Sequence, residues 1–192
     1  MTASLISTQV LADLTPPLSP AEQDRLQQGQ AIVTGSNGSY VGVVLVSAGV
    51  ETAWDVLTDY ESFANFLPNV SSSRVLETEG DRKVVERVDV RNVLLMNLES
   101  RICTESIENQ PEQIDFRLVE GDHIKKLEGF WQIQPVEQSK PNAPQVLVSQ
   151  TVAADADAGF LQGAFHGLFE NSLEDSLNAL RQEIERRSQS IH

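Results

Sequence analysis

Residues 53–68 read AWDVLTDYESFANFLP, and they predict an amphipathic helix that changes into an aromatic-rich turn. The apolar face of the helix comes from Trp54, Val56 and Leu57. Three large apolar side chains follow at helical spacing, namely Phe63, Phe66 and Leu67. Pro68 disfavours a helical conformation at the residue before it, so the chain has to turn there. Large apolar groups beside an abrupt turn indicate either the edge of a core or the lip of a pocket.

Outside this segment, apolar and polar residues alternate in the way that is typical of half-buried β-strands. Turn residues separate the alternating runs, including GSNGS at 35–39, Pro111 and the Gly121-Asp122 pair. The predicted strands span residues 31–33, 40–47, 70–77, 83–90, 93–107, 114–120, 126–136 and 145–153. Consecutive strands joined by hairpins form an antiparallel sheet, and one face of such a sheet needs a cover.

A long helix is predicted at the end of the chain, from about residue 158 to residue 187. Its apolar residues recur every three or four positions, and this stripe is long enough to cover one face of the sheet. The sequence therefore predicts an α+β fold in which a curved antiparallel sheet encloses a long C-terminal helix. Such a sheet leaves a space between itself and the helix, and residues 53–68 would close one end of it.

The predicted domain spans residues 19–188, between a flexible N-terminal tail of residues 1–18 and a short tail of residues 189–192. Ser19 followed by Pro20 and Glu22 has the spacing of a helix N-cap and capping box, so the first helix begins here.

Charge and composition narrow the class of partner. The 192 residues include 28 acidic and 14 basic side chains, which gives a net charge of −14. This charge argues against direct nucleic-acid binding and against an anionic membrane surface. No apolar run approaches the roughly 20 residues that span a bilayer, and the first residues lack the pattern of a signal peptide, so a cytoplasmic protein is expected. The lone Cys103 lies in a predicted strand, which favours an inert thiol over a nucleophile.

Three stretches carry a resemblance to a known family: VETAWDVLTDYESFANFLPNVSSSRVLE at 50–77, IDFRLVEGDHIKKLEGFWQIQP at 114–135, and LNALRQEIERR at 177–187. Over about residues 30–187 the chain resembles the START-like, or SRPBCC, superfamily, in the branch of polyketide cyclases/dehydrases and coenzyme Q-binding proteins. The resemblance implies a helix-grip fold of about seven strands around the terminal helix, with an apolar cavity. Members bind lipids, sterols, prenylquinones or aromatic polyketides, and most do no chemistry. Asn69-Val70 stands where the coenzyme Q-binding branch has a Trp-Cys pair, so the resemblance extends to a general apolar ligand.

Glu86 and Gln150 interrupt strand faces that are otherwise made of valines. If these faces point inward, each polar group needs a hydrogen-bond partner, and it could orient a small molecule among apolar walls. If the first face points outward, Glu86 is solvated. Arg91 and Arg101 are possible partners of Glu86, although each falls on the opposite parity of its own strand.

The aromatic residues present the same choice, because they either line a cavity or fill a core. The residues expected to bind a ligand are Phe63, Phe66, Leu67, Glu86, Val88, Phe116, Leu118, Trp131, Gln150, Leu161, Phe165, Leu168 and Phe169. Phe63, Phe66 and Leu67 are candidate gate residues. No HExxH motif, CxxC pair or carboxylate cluster is present, so neither a metal site nor a cofactor is expected.

Three functions fit these observations. The favoured one is a non-enzymatic protein that binds a hydrophobic small molecule such as a prenylquinone, polyketide, carotenoid or lipid. The second is a cyclase or dehydratase with Glu86 or His166 as its acid or base. The third is a protein-interaction module similar to ribosome-associated relatives of this branch, which allows a protein partner without direct contact to nucleic acid.

Overall fold

The computed structural model describes residues 17–93, 96–136, 144–156 and 162–190. Helix α1 (Pro20–Gln27) begins at the predicted capping box, where the Ser19 backbone N–H donates to the Glu22 carboxylate over 2.7 Å. Helix α2 (Val50–Leu57) leads through a short 3₁₀ helix (Tyr60–Ser62) into the single turn α3 (Phe63–Phe66). The long helix α4 spans Gln162–Gln189.

Within the described residues, eight strands form one antiparallel sheet: β1 (Ile32–Ser36), β2 (Ser39–Val46), β3 (Val70–Glu79), β4 (Arg82–Val93), β5 (Met96–Asn109), β6 (Gln113–Gly121), β7 (Ile124–Val136) and β8 (Gln145–Ala156). Their order is β1-β2-β8-β7-β6-β5-β4-β3, so only the step from β2 to β8 joins strands distant in the sequence. The sheet has eight strands rather than about seven, because the short β1 pairs with β2 along its whole length.

The register shows which side chains share the face that α4 covers. Residues directly opposite each other in antiparallel strands point to the same side of the sheet. One such row crosses five strands and consists of Tyr40, Val152, Gly129, Phe116 and Ser106. The Tyr40 ring lies 5.6 Å from the ring of Phe169 on α4, so this row marks the inner face.

Helix α4 lies close against the sheet at Gly42 in β2. A Cβ atom placed on Gly42 would lie 2.5 Å from Leu177 Cδ1 and 3.3 Å from Leu173 Cγ. A side chain at this position would force the helix outward, so the glycine sets the distance between α4 and the sheet. The main core forms here, and Leu177, Val44 and Val148 in it are fully buried.

A second core covers the opposite, outer face of the sheet. Leu18 and Leu26 pack there against a group of outward-pointing strand residues, Ile32, Val43, Leu45, Val136 and Leu147. Leu18 is only 6% exposed, so it packs into this core although it precedes the predicted domain boundary at residue 19. The rest of the predicted tail, residues 1–16, lies outside the described residues.

The predicted α+β class, with an antiparallel sheet and a long terminal helix, is confirmed. The predicted start of the last helix at 158, together with Leu161, lies outside the described residues. The predicted C-terminal tail is described only to residue 190, and α4 continues to Gln189.

Candidate functional site

Half-buried aromatic side chains gather on the inner face, between α4 and the middle of the sheet. We call them the aromatic cleft: Phe63, Phe66, Phe116, Trp131 and Phe169. They come from α3, β6, β7 and α4, and each packs against buried core residues while part of its surface stays accessible. On the same strand faces, Ile114 and Ile133 are both only 2% exposed. Accessible surface on the inner face is thus found at these aromatic positions and at Leu118 and Leu127, whereas Ile114 and Ile133 are closed off.

Residues 60–67, which we call the lip, bring two of these rings to the cleft. The rings of Tyr60 and Phe63 meet edge to face at 5.5 Å, and those of Phe63 and Phe66 do so at 5.8 Å. Leu67 follows and is buried. The aromatic turn predicted from residues 53–68 thus forms a row of contacting rings, with Trp54 behind it in the core.

Gln150 is a half-buried polar residue on the inner face. Across the strands it lies between Gly42 and Trp131. Along its own strand its neighbours on the same face, Val148 and Val152, are 0% and 2% exposed. The structure therefore brings Gln150 together with the aromatic cleft, and within the described part of the chain its carboxamide forms no hydrogen bond.

A polar group that the sequence analysis did not identify lies beside the lip. The Tyr60 hydroxyl faces Glu108 and Ser106 on the inner face of β5, and burial together with the Glu108 carboxylate raises the pKa of Tyr60 above its ordinary value. The sequence feature that could have indicated this group is the pair of polar residues Ser106 and Glu108, two positions apart on one face of β5 and opposite Phe116 and Ile114. It becomes informative only when Tyr60 is known to face that strand.

The first described turns of α4 contain three of the expected site residues and the candidate acid or base. Phe165 lies 5.9 Å from Phe169, measured between ring centroids, and so extends the aromatic cleft. The His166 ring lies between Phe165 at 5.4 Å and Tyr40 at 6.4 Å, beside the hairpin of β1 and β2. Leu168 is 48% exposed, so the structure does not bring it into the cleft.

Glu86 and Val88 lie on the outer face of the sheet, and this corrects the inward alternative for β4. Val85 pairs with Thr104, which in turn pairs with the inward-pointing Leu118. The adjacent residue Glu86 therefore points to the opposite side, as does Val88. Neither reaches the aromatic cleft, whereas Leu118 lies on the same face as the cleft.

The surroundings of Glu86 are those of a structural ion pair. Its carboxylate lies 2.7 Å from the Arg74 guanidinium and 3.4 Å from that of Arg101. Arg101 is on the same face because Glu86 pairs with Cys103, which places the odd-numbered residues of β5 beside the even-numbered residues of β4. Arg101 and Glu86 therefore share a face, although Arg101 alternates with the apolar residues of its own strand.

A groove of about 400 Å³ opens at Gly129, where β7 passes β8. Its walls include Val41, Thr151 and Ala153 of the outer face together with Tyr40, Gly129 and Val152, and none of the five residues of the aromatic cleft lines it. A Cβ atom on Gly129 would lie 1.9 Å from the Thr151 carbonyl oxygen, which accounts for the glycine two residues before Trp131.

A metal cluster and a membrane-spanning helix are both absent from the described ranges. No cluster of three or more His, Cys, Asp or Glu side chains there could hold a metal ion. None of the helices described is long and apolar enough to cross a membrane.

Comparison with known proteins connects this geometry to a family. The sequence profile of the family described as polyketide cyclase / dehydrase and lipid transport matches residues 46–181. A comparison with curated protein sequences gave no match.

Among solved structures, a START superfamily protein from Mycobacterium smegmatis is similar with a TM-score of 0.55 and 17% identity, covering 85% of this chain and 100% of that one. The Zhui aromatase/cyclase from Streptomyces sp. R1128 has a TM-score of 0.56 and 18% identity, covering 82% and 96%. A STAR-related lipid transfer protein from Xanthomonas axonopodis has a TM-score of 0.56 and 15% identity, covering 80% and 92%. At these identities the likeness shows the fold alone, and it confirms the helix-grip architecture.

Proposed function

Because the chain belongs to the polyketide cyclase / dehydrase and lipid transport family, with its hydrophobic ligand-binding fold, we propose that it binds or carries an apolar or amphipathic small molecule in the aromatic cleft. The ligand classes that we propose are a prenylquinone, a polyketide, a carotenoid or a lipid. The proposal includes coenzyme Q-like molecules among the prenylquinones and a cytoplasmic location.

The observation that carries this proposal is the partial exposure of the aromatic rings on the inner face. Residues of a packed core are buried from all sides, as Val44, Val148 and Leu177 are here. Rings from α3, β6, β7 and α4 instead pack against this core and keep accessible surface. Small-molecule sites combine such apolar walls with a few polar groups that fix orientation. Gln150 supplies a polar group of this kind, since its carboxamide can both donate and accept hydrogen bonds.

In this proposal the lip controls entry to the cleft. Phe63 and Phe66 contact each other through ring edges, and Leu67 is buried at the turn before Pro68. A displacement of the lip would uncover the inner face of β5 and β6 without separating α4 from β2. Phe63, Phe66 and Leu67 remain the proposed gate residues.

The test uses purified full-length protein in two measurements. Organic extraction followed by mass spectrometry should identify an apolar molecule that is retained in stoichiometric amounts. Titration with an environment-sensitive naphthalene fluorophore should show saturable binding that lipids or quinones displace. An empty extract together with no saturable binding would overturn the proposal.

Strand β7 offers a matched pair of variants for this titration. Trp131 faces the aromatic cleft, and its neighbour Phe130 is an equally half-buried aromatic residue that points to the outer face beside Thr151. We expect Trp131→Ala to weaken probe binding by at least about tenfold, because a buried aromatic contact is lost. Phe130→Ala should leave the affinity within about twofold of the parent protein. Equal losses in the two variants would mean that the probe does not occupy the cleft.

A cyclase or dehydratase activity is the second candidate, because one of the similar structures is an aromatase/cyclase. The outer-face position of Glu86 and its two arginine contacts weigh against Glu86 as the acid or base. His166 is the remaining candidate from the sequence. A turnover assay on polyketide substrates in which His166→Ala loses activity and Glu86→Gln keeps it would support an enzyme. The protein partner expected in the third hypothesis stays a prediction.

A further inference from the structure

Two polar atoms beside the lip are buried without a suitable partner. Tyr60 is 6% exposed, and its hydroxyl oxygen has no hydrogen bond among the described residues. The same holds for Oε1 of Glu108. The two groups are close neighbours, with Ser106 beside them, but neither atom forms a hydrogen bond of ordinary geometry within the described residues. A buried polar group without a partner is destabilising, and a bound molecule that supplies the missing hydrogen bond is one explanation for such a group in a native protein.

The position of these atoms connects them to the aromatic cleft. Glu108 pairs with Ile114, and Ser106 pairs with Phe116, so both belong to the inner face. The Tyr60 ring contacts Phe63 edge to face at 5.5 Å. A molecule that lies along the rings of the cleft would therefore bring one end to Tyr60, Ser106 and Glu108. Tyr60 is the first residue of the lip, so a displacement of the lip also exposes this polar end.

The two groups together select one kind of ligand atom. A carboxylate oxygen such as Oε1 of Glu108 accepts hydrogen bonds, whereas the Tyr60 hydroxyl can donate as well as accept. A hydroxyl group can donate to Glu108 and accept from Tyr60 at the same time. An ether or ketone oxygen has no proton to donate to Glu108. A ligand carboxylate would be repelled by the negative charge of Glu108.

We propose that Tyr60, Glu108 and Ser106 form the polar end of the binding cleft and recognise the hydroxyl group of an uncharged phenol or alcohol. This inference rests on the proposed function, because it names the chemical class of the ligand's polar end. Tyr60 and Glu108 make the specific contacts, and the Ser106 hydroxyl completes the polar surface between them.

Three naphthalene probes test the proposal: naphthol, its methyl ether and naphthoate. They share the apolar rings and differ in the polar group, so their affinity ratios isolate the recognition of the hydroxyl. We expect naphthol to bind about tenfold more tightly than the methyl ether, as is typical when a hydrogen bond to a charged group is gained. Naphthoate should bind more weakly than the ether.

The variants assign this preference to its residues. Tyr60→Phe keeps the ring contact with Phe63 and removes the hydroxyl, and Glu108→Met keeps the length of the side chain and removes the acceptor. Each should bring the ratio of naphthol to ether affinity close to one. Tyr40→Phe is the control, because its hydroxyl donates to the His166 carbonyl oxygen on α4 at 3.4 Å. It should leave the ratio unchanged.

The outcomes separate this inference from the proposed function. Binding of all three probes with similar affinity, lost in Trp131→Ala, would support the cleft and overturn hydroxyl recognition. A naphthol preference that survives both Tyr60→Phe and Glu108→Met would place the recognition elsewhere and also overturn it. Absence of binding by every probe would contradict the proposed function, and the inference would fail with it.

Discussion

At the scale of single residues, glycines decide how closely the elements pack. Gly42 lets α4 lie against β2, because any Cβ there would meet the side chain of Leu177. Gly167 on α4 is the opposite case, since a Cβ there would have no atom within 4 Å. The same residue type is therefore required at one position and replaceable at the other.

Substitutions at these two glycines should change the free energy of unfolding in opposite directions. Gly42→Val should lower the free energy of unfolding by about 1–3 kcal/mol, because the added methyl groups overpack the contact with α4. Gly167→Ala should raise it by about 0.5–1 kcal/mol, because alanine is the better helix former and nothing obstructs it. Urea denaturation followed by circular dichroism measures both. A neutral Gly42→Val would show that α4 does not depend on this close approach.

The residue scale also shows a limit of sequence reasoning. The alternation of β2 places Gly42 on the same face as Tyr40 and Val44, but a glycine in a strand is equally typical of a bulge or a ligand contact. Only the position of Leu177 identifies it as a helix contact. Gln150 stands out in the sequence as a polar residue on an apolar face, because its valine neighbours make that pattern visible.

At the scale of elements, charged side chains join the C-terminal half of α4 to the lip. Arg187 lies 2.8 Å from the carboxylate of Asp59, the residue before the lip, and 2.7 Å from that of Glu183. Glu183 also contacts Arg186 at 2.7 Å. Hydrogen bonds from Arg186, and then from Arg187, lower the pKa of Glu183 to about 2. Glu183 thereby holds Arg187 in position to anchor the base of the lip.

A dependence of stability on pH follows from this cluster. The pKa of Glu183 is lowered in the folded state from its ordinary 4.5 to about 2. Its stabilising contribution is therefore complete above pH 4.5 and is lost as the pH falls toward 2. Glu183→Gln should lower the melting temperature at pH 7, and the difference from the parent protein should shrink progressively below pH 4.5.

Thermal melts between pH 7 and pH 2 measure this difference. The control is Glu170→Gln, which changes an exposed carboxylate of the same helix and should have little effect at any pH. A difference between Glu183→Gln and the parent protein that stays constant down to pH 2 would contradict the role of the ion pairs.

The element scale explains why the face of β4 was ambiguous. A period of two shows that Val84, Glu86 and Val88 share a face, but it does not show which face that is. Val84 and Val85 are both buried, so the strand is covered near its start on both sides, and hydrophobicity cannot decide. The register with β5, and through it with the inner-facing Leu118, supplies the answer. For β7 and β8 the alternation was sufficient, because their inner-face residues are large and apolar.

At the scale of the whole molecule, the two halves of the sheet are covered differently. Strands β2 and β8 have α4 on the inner face and the core around Leu18 and Leu26 on the outer face. Strands β3 to β5 carry charged side chains on their outer face, including the carboxylate of Glu105 between Arg82 and Arg117. Arg117, and then Arg82, lower the pKa of Glu105 by hydrogen bonding to it. The half that contains β2 and β8 is thus covered on both faces, whereas the half that contains β3 to β5 forms a wall of the cleft.

This asymmetry predicts an uneven distribution of local stability, which hydrogen exchange measures. Strands β8 and β4 are both internal and pair on both edges, so a difference between them reflects the cover on their faces and not an exposed edge. Amides of Val146 to Val148, whose side chains are at most 1% exposed, should exchange only through global unfolding. Amides in β4 and in the lip should exchange faster through local opening.

The same measurement connects the molecular scale to the cleft. An apolar molecule bound along the aromatic rings should slow exchange in the lip and in β5 and β6, because it would cover the inner face of these strands. Exchange of the β8 amides should still follow global unfolding, with no additional slowing. Uniform exchange across β4, β8 and the lip would mean that the domain opens only as a single unit, and entry to the cleft would then require unfolding of the whole domain instead of a movement of the lip.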